Sequence, residues 1–220
     1  MKLSVLIPAY NEAPTVEALI RRVADVDLDK EIVVVNDGST DGTGEILDRL
    51  DIPGLRVIHH PKNQGKGAAI RTAIAAAQGD AIIIQDADLE YDPDDYHRLV
   101  EKMVAENAKV VYGVRSLKGQ KPLIRLGNQF LTWVTNLIYG SRIHDMETCY
   151  KLVDRELMQS FRIVCNRFDL EAEVTAKILK RGHRIYEVPI SYAPREEKKL
   201  SPWRDGLPAL WALIKFRFTE

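Results

Sequence analysis

The sequence has little of what disulfide-rich, membrane-spanning or multidomain proteins contain. Its 220 residues include two cysteines, Cys149 and Cys165, which excludes a disulfide framework and fits a reducing compartment. No run approaches the roughly 18 uninterrupted apolar residues that a membrane-spanning helix needs, and the N-terminal apolar run is too short to predict a signal peptide. There is no internal repeat and no Gly/Ser-rich linker. These absences exclude an integral membrane protein but not a surface-bound one.

Two common nucleotide-binding motifs are also missing. No G-x-G-x-x-G follows the first predicted strand, which argues against a dinucleotide-dependent oxidoreductase. Residues Gln64–Gly67 read QGKG, but they lack the earlier glycine and the Ser or Thr after the lysine that a P-loop requires. The five histidines and both cysteines show no metal-ligand spacing, so we assign them no role.

The composition is that of an ordinary globular protein, but the charge is divided unevenly along the chain. Hydrophobic residues make up 45% and charged residues 29%. Residues 1–110 carry 12 Lys and Arg against 20 Asp and Glu, a net charge of −8, whereas residues 111–220 carry 19 against 12, a net charge of +7. This division indicates either a different partner for each half or uneven surface solvation. We predict no nucleic-acid partner.

Strand-like and helix-like patterns alternate through the first half of the chain. This alternation predicts an α/β fold with a mostly parallel central sheet and helices on both of its faces. The predicted strands are Leu3–Ile7, Glu31–Val35, Leu55–Ile58, Ala81–Gln85 and Lys109–Tyr112. The predicted helices contain Val16–Val23, Ala68–Ala77 and Tyr96–Met103.

The second half is less regular and ends in a C-terminal helical extension. We predict a long helix at Leu123–Tyr139, a strand at Thr148–Val153, a helix at Leu170–Lys180, a strand at Arg184–Pro189 and a final helix from Asp205. The first and last of these helices have broad apolar faces with aromatic and basic residues nearby. Such helices lie in the headgroup layer of a membrane, pack on the sheet or form a dimer contact.

Polar, turn-forming residues follow three of the predicted strands. These segments are Pro8–Glu12, Asn36–Gly42 and Asp86–Glu90. Ligands of open α/β sheets bind at the carboxyl ends of the strands, so we expect the functional site where the three segments meet. The second segment has two interpretations: it is only a turn in which Asp41 or Thr40 caps the following helix, or it places Asp37 at the edge where a nucleoside would lie.

Asp86 and Asp88 form the most distinctive feature of the sequence. Side chains two apart in an extended segment point to the same side, and paired carboxylates are hard oxygen ligands that suit Mg²⁺ or Mn²⁺. Glu90 is the next residue on that face. An Asp-x-Asp pair alone is more often a solvated turn, but here it follows a buried strand, which favours a metal site.

These motifs, taken together, resemble those of glycosyltransferase family 2, which has the GT-A fold. The resemblance spans almost the whole chain. The first-half segments are LSVLIPAYNE, IVVVNDGSTDGT, NQGKGAAIRTA and IQDADLEYDP. Four later segments resemble the dolichol-phosphate mannosyltransferase branch, which uses polyprenyl-phosphate acceptors. They are RLGNQFLTWVTNLIYG, DMETCYKLV, RFDLEAEVTAKILKRG and IYEVPISYAPR.

The resemblance implies a set of donor-site residues and a divalent cation, Mg²⁺ or Mn²⁺. Asp86 and Asp88 would hold the cation and the donor diphosphate, with Glu90 beside them. The residues implied in binding the donor nucleotide are Pro8, Ala9, Tyr10, Glu12, Asp37, Lys66 and Asp86.

The resemblance also implies basic residues that act on phosphate. Arg115 matches a residue that meets the acceptor phosphate. A second arginine of the relatives is replaced here, and Lys121 or Arg125 substitutes for it. Arg195 begins a basic loop that closes over the donor phosphates in relatives. The residues implied in catalysis are Asp86, Asp88, Arg115 and Arg195.

Acceptor chemistry favours a phosphate independently. Transfer to a hydroxyl usually needs a general base, whereas a phosphate monoester is already largely ionised at pH 7 because its second pKa is about 6. It needs positive charge instead, and Arg115, Lys118, Lys121 and Arg125 supply it. Glu171 or Glu173 could act as a base, although we interpret both as helix-surface carboxylates.

The sequence therefore predicts an inverting, metal-dependent glycosyltransferase. It would move mannose or glucose from a GDP- or UDP-sugar to a polyprenyl or dolichyl phosphate at the cytoplasmic face of a membrane. Residues 1–113 would bind the donor and residues 114–220 the acceptor within one domain, with a homodimer or a membrane protein as a further partner. The alternatives are transfer to a saccharide hydroxyl, a sugar nucleotidyltransferase, and a non-catalytic nucleotide-sugar-binding subunit.

Overall fold

The fold is an alternation of strands and helices in a computed structural model, which describes residues 1–167, 169–194 and 206–219. The strands of this part are Leu3–Ala9 (β1), Lys30–Asn36 (β2), Leu55–His59 (β3), Ala81–Ile84 (β4), Val110–Arg115 (β5), Lys151–Asp154 (β6) and Tyr186–Ile190 (β7). The α-helices are Val16–Asp25 (α1), Thr43–Asp48 (α2), Lys66–Ala76 (α3), Tyr96–Ala105 (α4), Pro122–Tyr139 (α5), Arg155–Gln159 (α6), Leu170–Lys180 (α7) and Leu207–Phe218 (α8).

The described strands form one sheet in the order β3-β2-β1-β4-β6-β5-β7. β1 pairs in parallel with both β2 and β4, β2 with β3, and β5 with β7. Among these strands only β6 is reversed, because it pairs antiparallel with both β4 and β5. The predicted mostly parallel sheet is confirmed, and the reversed strand joins its two halves.

The core follows from the apolar periodicity of the sequence. In α1, Val16, Leu19, Ile20 and Val23 are spaced at i, i+3, i+4 and i+7, and all four are fully buried against the sheet. β4 consists of Ala81–Ile84 and is buried along its whole length, as a central strand covered on both faces must be.

Some predicted element boundaries are wrong. The strand expected from Thr148 begins at Lys151, and Asp205, where the last helix was expected to begin, lies outside the described residues. The cap of α2 is Gly42, in the left-handed region at φ +94°, rather than Asp41 or Thr40. Asp41 still accepts a hydrogen bond from the Thr43 N–H at 3.1 Å. The short helix α6 was not predicted.

The helices α5, α7 and α8 form a second, smaller apolar cluster beside the main core. Their buried faces pack on one another, while α5 and α8 turn large apolar side chains outward. The exposed ones are Leu123, Leu126, Phe130, Trp133, Leu137, Leu207, Trp211, Ile214 and Phe218. None of the helices in the described part of the chain is both long and apolar enough to cross a membrane.

Two glycines of the QGKG segment allow a close backbone approach. A Cβ at Gly67 would lie 2.2 Å from the Cys165 carbonyl oxygen, and one at Gly65 would lie 2.1 Å from that of Asn166. The Gly67 N–H donates to the Asn166 carbonyl at 2.9 Å. These glycines therefore dock the start of α3 on the chain just before α7.

We predict that Gly67→Ala lowers the free energy of unfolding by about 2 kcal/mol, since the added methyl group must displace backbone. Gly127→Ala is the matched control. Gly127 lies inside α5, and apart from its chain neighbours and the backbone of its own helix, none of the described residues comes within 4 Å of the position that an added Cβ would take. Alanine there should therefore stabilise the protein by about 0.5–1 kcal/mol. Urea unfolding measures both changes, and changes of equal sign would contradict this account.

Candidate active site at the carboxyl edge of the sheet

The polar segments after β1, β2 and β4 lie side by side at one edge of the sheet. This follows from the parallel pairing of β1 with both of its neighbours, and it confirms that the three segments meet at one edge, where ligands of open α/β sheets bind. The segments after β1 and β2 are joined by hydrogen bonds. Asn11, at φ +53°, accepts a hydrogen bond from the Thr40 N–H at 2.9 Å, and the Glu12 N–H donates to Thr43 Oγ1 at 3.0 Å.

The residues predicted to hold the nucleoside differ in their solvent exposure. Ala9 is buried, and its carbonyl accepts a hydrogen bond from the Asp37 N–H at 2.8 Å. Pro8 and Glu12 are half-buried, whereas Tyr10 is exposed at the sheet edge. Tyr10 thus presents an open aromatic surface, and the nucleoside role of the group stays a prediction.

Asp37 organises the loop that leads into α3. The residue is buried, and its carboxylate accepts hydrogen bonds from the backbone N–H groups of Gln64, at 3.0 Å, and Gly65, at 2.7 Å. His60 Nδ1 lies 2.7 Å from the same carboxylate. Asp37 therefore fixes the backbone immediately before Lys66.

Lys66 lies between two carboxylates at the centre of the site. Its Nζ is 2.7 Å from Asp86 Oδ1 and 2.8 Å from Glu171 Oε1. Burial would lower the pKa of Lys66, but the two carboxylates outweigh burial and raise that pKa well above its usual value. Burial would likewise raise the pKa of Asp86, but the Lys66 ammonium holds it below its ordinary value. Lys66 and Asp86 are therefore both charged at neutral pH.

The other two predicted metal ligands are placed differently. Asp88 Oδ1 accepts a hydrogen bond from the Glu90 N–H at 3.1 Å. Glu90 is buried, and its Oε2 accepts a hydrogen bond from the Tyr192 hydroxyl at 2.6 Å. Within the described ranges, no three His, Cys, Asp or Glu side chains converge as a metal site.

Asp86 and Asp88 nevertheless fit a divalent cation that also binds diphosphate. The Asp86 side chain is 26% exposed, so it can be reached from solvent. Carboxylate oxygens suit Mg²⁺ and Mn²⁺, and Mg²⁺ is commonly held by one or two carboxylates with substrate phosphates and water completing its coordination. When bound there, the cation would offset the charge that develops on a departing diphosphate.

Arg115 is held at the end of β5 by a carboxylate that our sequence interpretation did not single out. Its Nε is 2.7 Å from Asp145 Oδ2, and its Nη2 is 2.8 Å from Asp145 Oδ1. The guanidinium also lies over the Tyr192 ring, 5.2 Å from the centroid. Its positive charge adds to that of Lys66 in lowering the pKa of Asp86.

The remaining predicted cations lie at the start of α5 or outside the described residues. Lys121 caps α5 and Arg125 lies in its first turn, and both are exposed. Arg195 lies outside the described residues. The acceptor-phosphate role of Lys121 and Arg125 stays a prediction.

The interpretation of Glu171 and Glu173 as helix-surface carboxylates is wrong. Glu171 is 7% exposed and Glu173 is 0% exposed, because α7 packs both on the main core and on α8. Glu173 accepts hydrogen bonds from the N–H groups of Val164 and Cys165, at 2.9 and 2.7 Å, and pairs with Lys177 at 2.7 Å. Glu173 is therefore structural, whereas Glu171 belongs to the site.

A second pair of charged residues, the half-buried Glu147 and the buried Lys151, was missed in the sequence. Burial, together with the negative charge of Glu171, raises the pKa of Glu147 to about 7. Burial lowers the pKa of Lys151 to about 8. The one available signal was the charge density of the segment DMETCYKLV, which runs into β6.

The comparisons with known proteins place this chain in a family. The family model described as glycosyl transferase family 2 matches residues 4–161. The chain therefore belongs to glycosyltransferase family 2, and it is an enzyme of the glycosyltransferase class. This confirms the resemblance seen in the sequence.

Several relatives are similar over most of this chain. The dolichyl-phosphate hexose transferase of Haloferax volcanii is 30% identical, over 99% of this chain and 95% of the relative. The undecaprenyl-phosphate mannosyltransferase of Micrococcus luteus is 26% identical, over 99% of each. Glycosyltransferase AglD of Haloferax volcanii is 28% identical over 94% of this chain, which spans only 35% of that protein.

Solved structures share the fold. Glucosyl-3-phosphoglycerate synthase from Mycobacterium tuberculosis, in complex with Mn²⁺, UDP-glucose and phosphoglyceric acid, superposes with a TM-score of 0.81 at 22% identity, covering 98% of this chain and 79% of that one. Its complex with UDP gives a TM-score of 0.80. The expected GT-A fold is confirmed.

We predict a pH dependence of stability that originates in Glu147. The pKa of the Glu147 carboxyl is about 7 in the folded protein, whereas its ordinary value, which applies to the unfolded chain, is 4.5. The resulting stabilisation is complete at low pH and is lost as the pH rises through 7. Glu147→Gln should therefore gain about 3 kcal/mol relative to the unchanged protein between pH 4.5 and 7.5. Urea unfolding at both pH values measures this, and a pH-independent difference would contradict it.

Proposed function

We propose that this glycosyltransferase moves a hexosyl group from a nucleotide diphosphate sugar to a polyprenyl phosphate. The observation that carries the proposal is the full-length similarity to two transferases named for dolichyl and undecaprenyl phosphate acceptors. The charges support it, since carboxylates lie at the sheet edge and the second half of the chain is basic. The donor is a GDP- or UDP-hexose, with mannose or glucose as the sugar.

Bound ligands in the fold neighbours support the donor half of the proposal. Neighbouring structures contain UDP with Mn²⁺ or Mg²⁺, and one contains UDP-glucose. In this chain, Asp86 and Asp88 would hold Mg²⁺ or Mn²⁺ together with the diphosphate. Tyr10 would cover the nucleoside at the end of β1, and Lys66 would contribute positive charge beside the phosphates.

The state of the carboxylates supports a phosphate acceptor. Glu173 is buried and fully engaged, and Glu171 is paired with Lys66, so neither is poised to deprotonate a hydroxyl. A phosphate monoester requires no base. In the proposed reaction its oxygen attacks the anomeric carbon in line, the bond from that carbon to the diphosphate breaks, and the nucleoside diphosphate leaves with inversion.

The basic side chains would hold the acceptor. Arg115 is oriented by Asp145 at the end of β5, and Lys121 and Arg125 offer exposed positive charge at the start of α5. Arg195 would contribute to the donor phosphates. Large side chains further along α5 are apolar and exposed, which suits the prenyl chain that an acceptor phosphate carries.

The outward apolar faces of α5 and α8 would bring the enzyme to its lipid substrate. Trp133 is 59% exposed and Trp211 is 65% exposed, and the last turn of α8 carries Lys215 and Arg217. Aromatic and basic residues on amphipathic helices bind the headgroup layer. We therefore propose that the enzyme acts at the cytoplasmic face of a membrane as a peripheral protein.

One observation favours a saccharide hydroxyl as a second candidate acceptor. A general base works best when its pKa lies near the working pH, and the pKa of Glu147 is raised to about 7. In that case the base would be Glu147 rather than Glu171 or Glu173. Loss of an acidic limb from the pH–rate profile in Glu147→Gln would favour this candidate.

Nucleotide release tests the proposal. The protein is incubated with a panel of GDP- and UDP-hexoses and Mn²⁺, with and without a polyprenyl phosphate. Release that requires the lipid phosphate is expected for one donor. Release that requires a saccharide instead would favour the second candidate, and no release with any acceptor would overturn the proposed function.

We predict that Asp88→Ala reduces lipid-dependent nucleotide release by about 10²-fold or more, because a group that offsets transition-state charge is lost. Far-UV circular dichroism and the melting temperature should stay near those of the unchanged protein. Asp94→Ala removes an equally acidic but exposed residue nearby and should retain activity. Equal activity of the two variants would contradict the assigned role.

We predict that Trp133→Glu combined with Trp211→Glu lowers binding to vesicles about tenfold, because an apolar contact with the headgroup layer is lost. The probe is co-sedimentation with phosphatidylglycerol–phosphatidylcholine vesicles. Val104→Glu is the matched control, since Val104 is 64% exposed but lies on α4. A similar loss in the control would show that the effect is not specific to α5 and α8.

A further inference from the structure

The Lys66 ammonium occupies a position beside Asp86 that a cation bound by this carboxylate would also need. It is 2.7 Å from Asp86 Oδ1 and 2.8 Å from Glu171 Oε1, with 12% of its own side chain exposed. Glu171 Oε2 is buried and has no hydrogen-bond partner in the part of the chain that the structure describes. Glu171 therefore pairs with Lys66 through Oε1, while its Oε2 is buried.

We infer that Lys66 acts as an internal counter-ion that makes binding of the divalent cation depend on the nucleotide. This inference rests on the proposed function, and it concerns the order in which the donor complex assembles. In the nucleotide-free protein, a dication at Asp86 meets the positive charge of Lys66 in a poorly solvated site, where repulsion is strong. A diphosphate supplies negative charge to both cations and removes that repulsion.

The geometry gives Glu171 a positioning role in this exchange. Lys66 begins α3, and its backbone is fixed by Asp37 through Gln64 and Gly65. Only the side chain of Lys66 can therefore move away from Asp86. When it moves, the carboxylate of Glu171 keeps the Lys66 ammonium in the site. Lys66 thus changes partner from Asp86 to diphosphate while its contact with Glu171 is retained.

Two substitutions should change Mn²⁺ binding in opposite directions. Lys66→Met removes the competing cation, so Mn²⁺ should bind the nucleotide-free protein about tenfold more tightly, and the gain from added nucleotide should shrink. Glu171→Gln removes negative charge and leaves Asp86 as the carboxylate partner of Lys66, so nucleotide-free Mn²⁺ binding should weaken. Lys62→Met is the matched control, because Lys62 is an exposed lysine of the same loop.

The experiment is a titration of the free Mn²⁺ signal by electron paramagnetic resonance, with and without UDP or GDP. The unchanged protein should bind Mn²⁺ at least about tenfold more tightly with its nucleotide, and Lys62→Met should behave in the same way. The opposite shifts in Lys66→Met and Glu171→Gln separate the inference from general damage. If Lys66→Met does not fold, the weakened binding expected in Glu171→Gln decides the matter.

Two failures are distinguishable. The inference would be overturned, and the proposed function would stand, if Lys66→Met bound nucleotide normally and its Mn²⁺ affinity were unchanged. An unchanged Mn²⁺ affinity in Glu171→Gln would have the same meaning. Absence of Mn²⁺ and nucleotide binding to the unchanged protein would overturn the proposed function and the inference with it.

Discussion

The site depends on one buried ammonium that is shared by two carboxylates from different halves of the chain. Lys66 begins α3, Asp86 follows β4 and Glu171 lies in the first turn of α7. Charges in so enclosed a place are stable only when they are paired. Their pairing therefore links the end of β4 and the start of α3 to the helical second half of the chain.

The division of charge along the sequence is consistent with this arrangement. The acidic first half supplies the carboxylates at the sheet edge, and the basic second half supplies Arg115 and the exposed cations at the start of α5. The reversed strand β6 lies between β4 and β5, which joins these two regions in one sheet. In the proposed function, this arrangement would offer positive charge to the donor diphosphate and to the acceptor phosphate.

The location of the site could be predicted from the sequence because it depends on local patterns. Apolar runs that end in polar turns identify strands, and parallel strands bring their carboxyl ends to one edge. The partners within the site could not be predicted in this way. Lys66 and Glu171 are separated by 105 positions, and their contact depends on how α7 packs beside the sheet.

The error at α7 has the same origin. Charged residues on a helix usually face solvent, and this rule led to the surface interpretation of Glu171 and Glu173. Here α7 packs on the main core on one side and on α8 on another, so Glu171, Glu173 and Lys177 are buried with specific partners. The role of the glycines at 65 and 67 could not be predicted either. They let α3 approach the backbone at 165–166, which is about 100 positions away in the sequence.

Anomalous diffraction from crystals of the protein with Mn²⁺ and UDP or GDP tests the central claim most directly. The account predicts an Mn²⁺ peak at Asp86 and Asp88 that also contacts the diphosphate, with the nucleoside over the carboxyl ends of β1 and β2. An Mn²⁺ ion bound elsewhere, or a nucleotide bound away from that edge of the sheet, would contradict it.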